Sequence, residues 1–259
     1  MSQLSEYSTK YETIAMRRED GILELTFHSD GGPLQWTLLS QREFGDAFAD
    51  IAADDENRVV LMTGTGDVFS GPVGSKSTFE RSTARSWDAI LRAGLRLTRN
   101  LLDIPVPVIS AINGPALRHV EIPLMADIVL AAEGATIQDS AHFPNRLTPG
   151  DGINLITPLL MGLNRSRYFH LTGQVLDAQA ALAIGLVNEV LPREQLLDRA
   201  WELAREIGQQ NDLVLRYTRL LLTQQLRLVV EGSLGYGLAL EGLGNVDETS
   251  RADGHAWAD

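Results

Sequence analysis

His119 and His142 are the residues of this chain best suited to moving protons, and they share a segment with Glu121 and Asp151. An unperturbed imidazole titrates near neutrality, so it can accept and return a proton at physiological pH. The common alternatives lack their motifs. Cysteine is absent, which removes thiol nucleophiles, disulfides and thiolate metal sites. Ser70 lies in Asp67-Val68-Phe69-Ser70-Gly71, without the first glycine of a nucleophile elbow. There is no phosphate-binding P-loop, and Gly64-Thr65-Gly66 is only a fragment of a dinucleotide fingerprint that reads as a turn. No HExxH pair occurs. The spacing of His119, Glu121, His142 and Asp151 matches no metal motif, so no metal is expected. His28, His170 and His255 fall in no motif and read as structural.

The elements that would position these residues alternate through the first half. Leu23, Leu25 and Phe27 alternate with Glu24 and Thr26, a half-buried strand. Ser40 to Ala53 carries Phe44, Phe48 and Ile51 at helical spacing. Arg58 to Thr63, Pro107 to Ile112 and Ile128 to Ala132 are short apolar runs that read as buried strands. Trp87, Ile90, Leu91, Leu95 and Leu102 make an amphipathic helix between two of them. Strands alternating with helices predict an α/β fold with a mainly parallel sheet. From about Gly152 the pattern becomes almost wholly helical, with helices expected over Asp198 to Ile207, Leu213 to Leu228 and Leu234 to Leu243.

Composition bounds the partners. The 259 residues are 44% hydrophobic and 22% charged, as in ordinary globular chains. The net charge of −12 repels nucleic acid and anionic membranes. Met1 to Lys10 lacks the apolar stretch of a signal peptide. No apolar run approaches the roughly 20 residues of a membrane span. A cytoplasmic protein with a small-molecule substrate is the expectation.

Three stretches carry a family resemblance. They are Phe69-Ser70-Gly71, then Ile112-Asn113-Gly114-Pro115-Ala116-Leu117 followed by Asp127-Ile128-Val129-Leu130-Ala131-Ala132, then Pro149-Gly150-Asp151-Gly152. In this order the chain resembles the crotonase (enoyl-CoA hydratase/isomerase) superfamily over nearly its whole length. The resemblance implies a spiral of ββα units over residues 1–195. It also implies a C-terminal helical trimerisation region over 196–259, part of the same unit, and a homotrimer or dimer of trimers. The departures are informative. The glycine triplet of the family, whose middle N–H helps hold a thioester enolate, is replaced by Arg118-His119-Val120. Ile122 stands where a catalytic glutamate commonly follows, with Glu121 one position away, and His142 stands near the place of the second glutamate.

This altered set resembles the β-diketone hydrolase branch typified by 6-oxocamphor hydrolase. The matching residues are Trp36, His119, His142, Asp151 and Glu241. Gln41 and Val120 depart from it, where the branch has a histidine and a proline. The resemblance implies retro-Claisen hydrolysis of a carbon–carbon bond in a cyclic β-diketone, desymmetrising a prochiral substrate and using no cofactor. In that chemistry His142 would be the base, with Asp151 on its other ring nitrogen fixing the tautomer. Glu241 would help position the water. His119 and the Trp36 N–H would hold the carbonyl and the enolate. On residue type alone, Asp151 reads equally as a turn or helix cap, Trp36 as a core aromatic and Glu241 as part of a solvated helix face. Two other functions fit the same family: an enoyl-CoA hydratase or isomerase using Glu121 or another carboxylate, and a non-catalytic crotonase-fold binding scaffold.

Overall fold

The computed structural model describes residues 3–71 and 83–246. A short helix α1 (Leu4–Tyr7) precedes the hairpin β1 (Ile14–Glu19) and β2 (Ile22–Phe27). Then come α2 (Leu38–Ala52), β3 (Val59–Gly64), α3 (Ala84–Asp103), β4 (Val108–Ile112), α4 (Glu121–Leu124), β5 (Ile128–Ala132) and β6 (Thr136–Ile137). After a 3-10 turn at Phe143–Asn145 follow α5 (Ile153–Met161), α6 (Leu163–Thr172), β7 (Leu176–Asp177), α7 (Ala178–Ala183), β8 (Glu189–Leu191), α8 (Arg193–Ile207) and α9 (Asp212–Val246). Among the described residues the main sheet has the order β1-β2-β3-β4-β5-β8. Every pairing in it is parallel except β1 with β2.

Residue chemistry accounts for the layers. The whole of β3 and β4 is buried, as expected for parallel strands covered on both faces. Thr37 and Thr83 start α2 and α3 by accepting from the N–H of Ser40 and Ser86, and each serine hydroxyl caps back on the threonine N–H. α2 packs on α3, and α3 packs on α9. α8 lies against β3, β4 and β5, so Trp201 and Ala204 share one core with Leu234 and Leu238 of α9.

The spiral is visible in a second strip beside the sheet. Gln35 bridges Gly71, Ser70 bridges Ala116, and Ala116 bridges Ile137. β6 then pairs antiparallel with β7. Each turn thus contributes one strand to the sheet and one extended stretch to the strip. The crotonase-type spiral expected from the sequence is the fold observed.

Three differences from the sequence reading have physical causes. The helices expected over Leu213 to Leu228 and Leu234 to Leu243 are one continuous helix, α9. Each interior glycine costs about 1 kcal/mol, but Val230, Leu234 and Leu238 are buried in the core and offset it. The nominally helical second half also holds β7 and β8, too short to show a period. Glu24 is buried rather than solvent-facing. It takes a two-pronged bond from Arg17 and a third from the Trp201 indole N–H.

One backbone contact fixes α9 against the loop before α5. A Cβ on Gly150 would stand 2.2 Å from the Gly237 carbonyl oxygen, and one on Gly237 would stand 2.5 Å from that of Gly150. Neither backbone can give way cheaply. Gly237→Ala is therefore expected to lower stability by roughly 1–3 kcal/mol through overpacking, although alanine is the better helix former. Urea unfolding followed by circular dichroism measures this, and a gain in stability would contradict the contact.

Candidate active site

The second strip delivers the site residues. Trp36 follows Gln35, His119 comes three residues after Ala116, and Asp139 comes two after Ile137. The Ser70 hydroxyl donates to the Arg118 carbonyl, and Ser140 donates to that of Leu117. These bonds tie the loop before α4 to the strip. His119 itself has φ of 48°, a left-handed conformation that a side chain with a Cβ rarely takes. The chain keeps the backbone shape a glycine would favour while carrying an imidazole there. That ring stacks on the Trp36 indole with centroids 4.0 Å apart.

Asp151 joins the two histidines. Its Oδ2 lies 3.2 Å from His119 Nδ1 and 3.4 Å from His142 Nε2. Glu121 Oε1 accepts from His119 Nδ1 at 2.7 Å. Glu241 Oε1, brought in by α9, is 3.5 Å from His142 Nε2. Asp151, Glu241, Glu121 and His142 are all buried, and the His119 side chain is 16% exposed. Trp36 Nε1, Asp151 Oδ2 and Glu241 Oε2 are buried without a hydrogen-bond partner. Buried polar atoms are ordinarily satisfied, so an unpaired donor and two unpaired acceptors mark a place built for something else to bind.

The geometry corrects one expected pairing. His142 Nδ1 is bonded to Asp139 Oδ1 at 2.7 Å, not to Asp151. Asp151 faces the opposite nitrogen, because His142 Nδ1 points back at Asp139, three residues earlier in the same loop. Asp139 was legible in Asp139-Ser140-Ala141-His142, where the spacing of three is short enough for a local bond. His170 is also more than structural packing: Nδ1 meets Asp139 Oδ2 at 3.1 Å and Nε2 meets Thr157 Oγ1 at 2.9 Å. Glu121, one position off the family register, is inside the site after all. His28 only accepts from the Gly31 N–H, and His255 lies outside the described residues.

Charge follows from these contacts. Burial pulls the His119 imidazolium down, but the Glu121 charge and the nearby Asp151 carboxylate outweigh it and hold the ring up at about 10. His142 is likewise raised: burial opposes, while the Asp151 charge and the Asp139 bond prevail. Burial and then the Asp151 charge push Glu121 up to about 7. Glu241 is raised by burial. Asp139 is held well below the usual carboxylate range, because its bonds to His142 and His170 overcome desolvation. Asp151 is lowered against its burial by the charges of His142 and His119. At neutral pH both rings therefore tend to carry protons, which makes His119 a charged donor.

His119, Glu121 and Asp151 could each lend one ligand atom to a cation, with all three atoms within 4.8 Å. The 2.7 Å contact of His119 Nδ1 with Glu121 is a hydrogen bond, and an ion would have to displace its proton.

The enoyl-CoA hydratase/isomerase profile matches residues 18–234, and the chain belongs to that family. A β-diketone hydrolase from the cyanobacterium Anabaena sp. PCC 7120, solved bound to (S)-3-oxocyclohexyl acetic acid, is 46% identical with a TM-score of 0.92, covering 94% of this chain and 98% of that one. An enoyl-CoA hydratase/isomerase from Mycobacterium paratuberculosis is 26% identical with a TM-score of 0.85, covering 93% and 96%. A probable enoyl-CoA hydratase of Mycobacterium bovis is 33% identical over 175 residues, 63% of this chain and 60% of that protein's length.

The strain at His119 has a measurable signature. His119→Gly and His119→Ala both remove the ring, but only glycine relaxes the left-handed backbone. The glycine variant is expected to be the more stable by about 1 kcal/mol, read from paired urea melts. Equal stabilities would place the strain elsewhere.

Proposed function

We propose that this protein hydrolyses a carbon–carbon bond of a cyclic β-diketone, giving a keto acid without coenzyme A. The observation that carries the reading is a pair of histidines sharing Asp151, at positions where the family resemblance implies an oxyanion glycine and a carboxylate. The 46% identity to a β-diketone hydrolase supports it.

In this mechanism a water lies against His142 Nε2, Asp151 and Glu241. His142 takes a proton from it as the oxygen attacks one carbonyl. The tetrahedral adduct collapses by breaking the bond to the carbon shared by both carbonyls. That electron pair becomes an enolate on the second carbonyl, and His119 with the Trp36 N–H holds its oxygen. A proton then returns to the carbon, so dione plus water gives one keto acid. The carboxylates that hold His142 protonated also make it a stronger base once neutral.

The ligand of the cyanobacterial relative suggests a substrate. Removing water between its carboxyl carbon and the far ring carbon next to the ketone gives a symmetric bicyclic dione, with two equivalent carbonyls flanking one bridgehead. Choosing between them would desymmetrise the substrate. Assembly is part of the proposal. α9 exposes Leu221 and Leu222, each 73% accessible, beside Leu228 and Leu243. Such a face suits the homotrimer or dimer of trimers implied by the resemblance.

Incubation with that dione, without coenzyme A, is expected to yield 3-oxocyclohexyl acetic acid in enantiomeric excess, read by chiral chromatography. His142→Ala should lower kcat at least about a hundredfold. Because its folded pKa is raised, kcat/KM should climb as pH rises through neutrality. Hydration of crotonyl-CoA with no dione turnover would sink the reading in favour of a hydratase. Light scattering is expected to give three or six times the 28.4 kDa chain mass, and a monomer would refute the assembly.

A further inference from the structure

A buried chain of polar side chains runs away from the site behind His142. Asp139 accepts from His142 with Oδ1 and from His170 with Oδ2, at 2.7 and 3.1 Å. His170, on α6, meets the Thr157 hydroxyl of α5 at 2.9 Å. Thr157 Oγ1 also bonds the Ile153 carbonyl and the Ser166 hydroxyl, both at 2.8 Å. Asp139, His142, Thr157, Ser166 and His170 are all buried. Ser166, Thr157 and His170 thus form one series of contacts that ends, through His170, on the Asp139 carboxylate.

An ionised carboxylate only accepts hydrogen bonds. Asp139 therefore demands a proton on Nδ1 of both rings. In the neutral form of His142 that leaves the lone pair on Nε2, the atom facing Asp151 and Glu241. Were Asp151 the orienting partner, as in the sequence reading, it would take the nitrogen that the water needs. We propose that Asp139, clamped by His170, which Thr157 holds in turn, is the positioning carboxylate of His142: it fixes the tautomer and the ring angle, and it leaves Asp151 to the water and to His119. The inference rests on reading the site as a hydrolase. The groups acting on His142 are Asp139 from its own loop, Asp151 from the turn before α5, Glu241 from α9 and His119 through Asp151. His170 and the Arg118 guanidinium act on Asp139 from behind. Loss of the Asp139 charge therefore makes His142 less basic without touching the water's other acceptors.

The test uses the full-length protein with Asp139→Asn, an isosteric change. Its kcat is expected to fall roughly a hundredfold or more, as when a base is left in the wrong tautomer, with KM within about threefold. The acid limb of kcat/KM should move to lower pH. His170→Asn keeps a donor where Nδ1 stood and is expected to retain most activity, whereas His170→Ala should lose about tenfold in kcat at unchanged KM. Nitrogen-15 NMR of labelled histidine reads the contact without any substrate. The wild type should show a protonated His142 Nδ1, and Asp139→Asn should shift or lose that signal. Unchanged kcat and acid limb in Asp139→Asn would overturn the proposal, as would an unprotonated Nδ1 in the wild type. Equal losses in the two His170 variants would refute the clamp. If the wild type turns over no dione, the hydrolase reading fails, and the NMR signal alone then decides the role of Asp139.

Discussion

Four carboxylates buried around two imidazoles set the terms for everything else in this site. A buried anion is costly unless a charge and hydrogen bonds accompany it. Here each histidine meets more than one carboxylate, and Asp151 meets both rings. Removing any one member leaves an uncompensated charge in a region of low polarisability. The arrangement stays balanced only if the elements carrying it keep their places to within a few tenths of an ångström. The strip bridges, the Gly150–Gly237 contact and the bonds behind Asp139 all serve that one requirement.

The same requirement falls on a framework that the chain shares with the enoyl-CoA hydratase/isomerase family. The overall fold is shared with an enoyl-CoA hydratase/isomerase that is 26% identical, at a TM-score of 0.85. In this chain the loop after the strip carries the His119 ring, and Glu121 bonds to it. The fold supplies positions, and the side chains placed there decide what bond can be broken.

Much of this was legible in the sequence. The apolar runs of β3, β4 and β5 gave the parallel sheet, because buried strands must be continuously apolar. His119, His142, Asp151, Glu241 and Trp36 were all expected in one site, and the structure brings them together. What escaped was pairing. Which ring nitrogen meets which carboxylate depends on the angle at which His142 leaves its turn, and no periodicity encodes that. His170 looked idle because its partners, Asp139 and Thr157, are 31 and 13 residues away in the chain. β7 and β8 escaped because two or three residues carry no alternation to detect.

The left-handed backbone at His119 has a consequence for the residue that can stand there. A glycine there would relax the backbone, but it would also take from Glu121 and Asp151 the ring that both contact. Position 119 is thereby pulled two ways: backbone conformation favours glycine, and the buried carboxylates favour a cation. No single ordinary side chain meets both demands, so the residue found there need not be the one that makes the chain most stable.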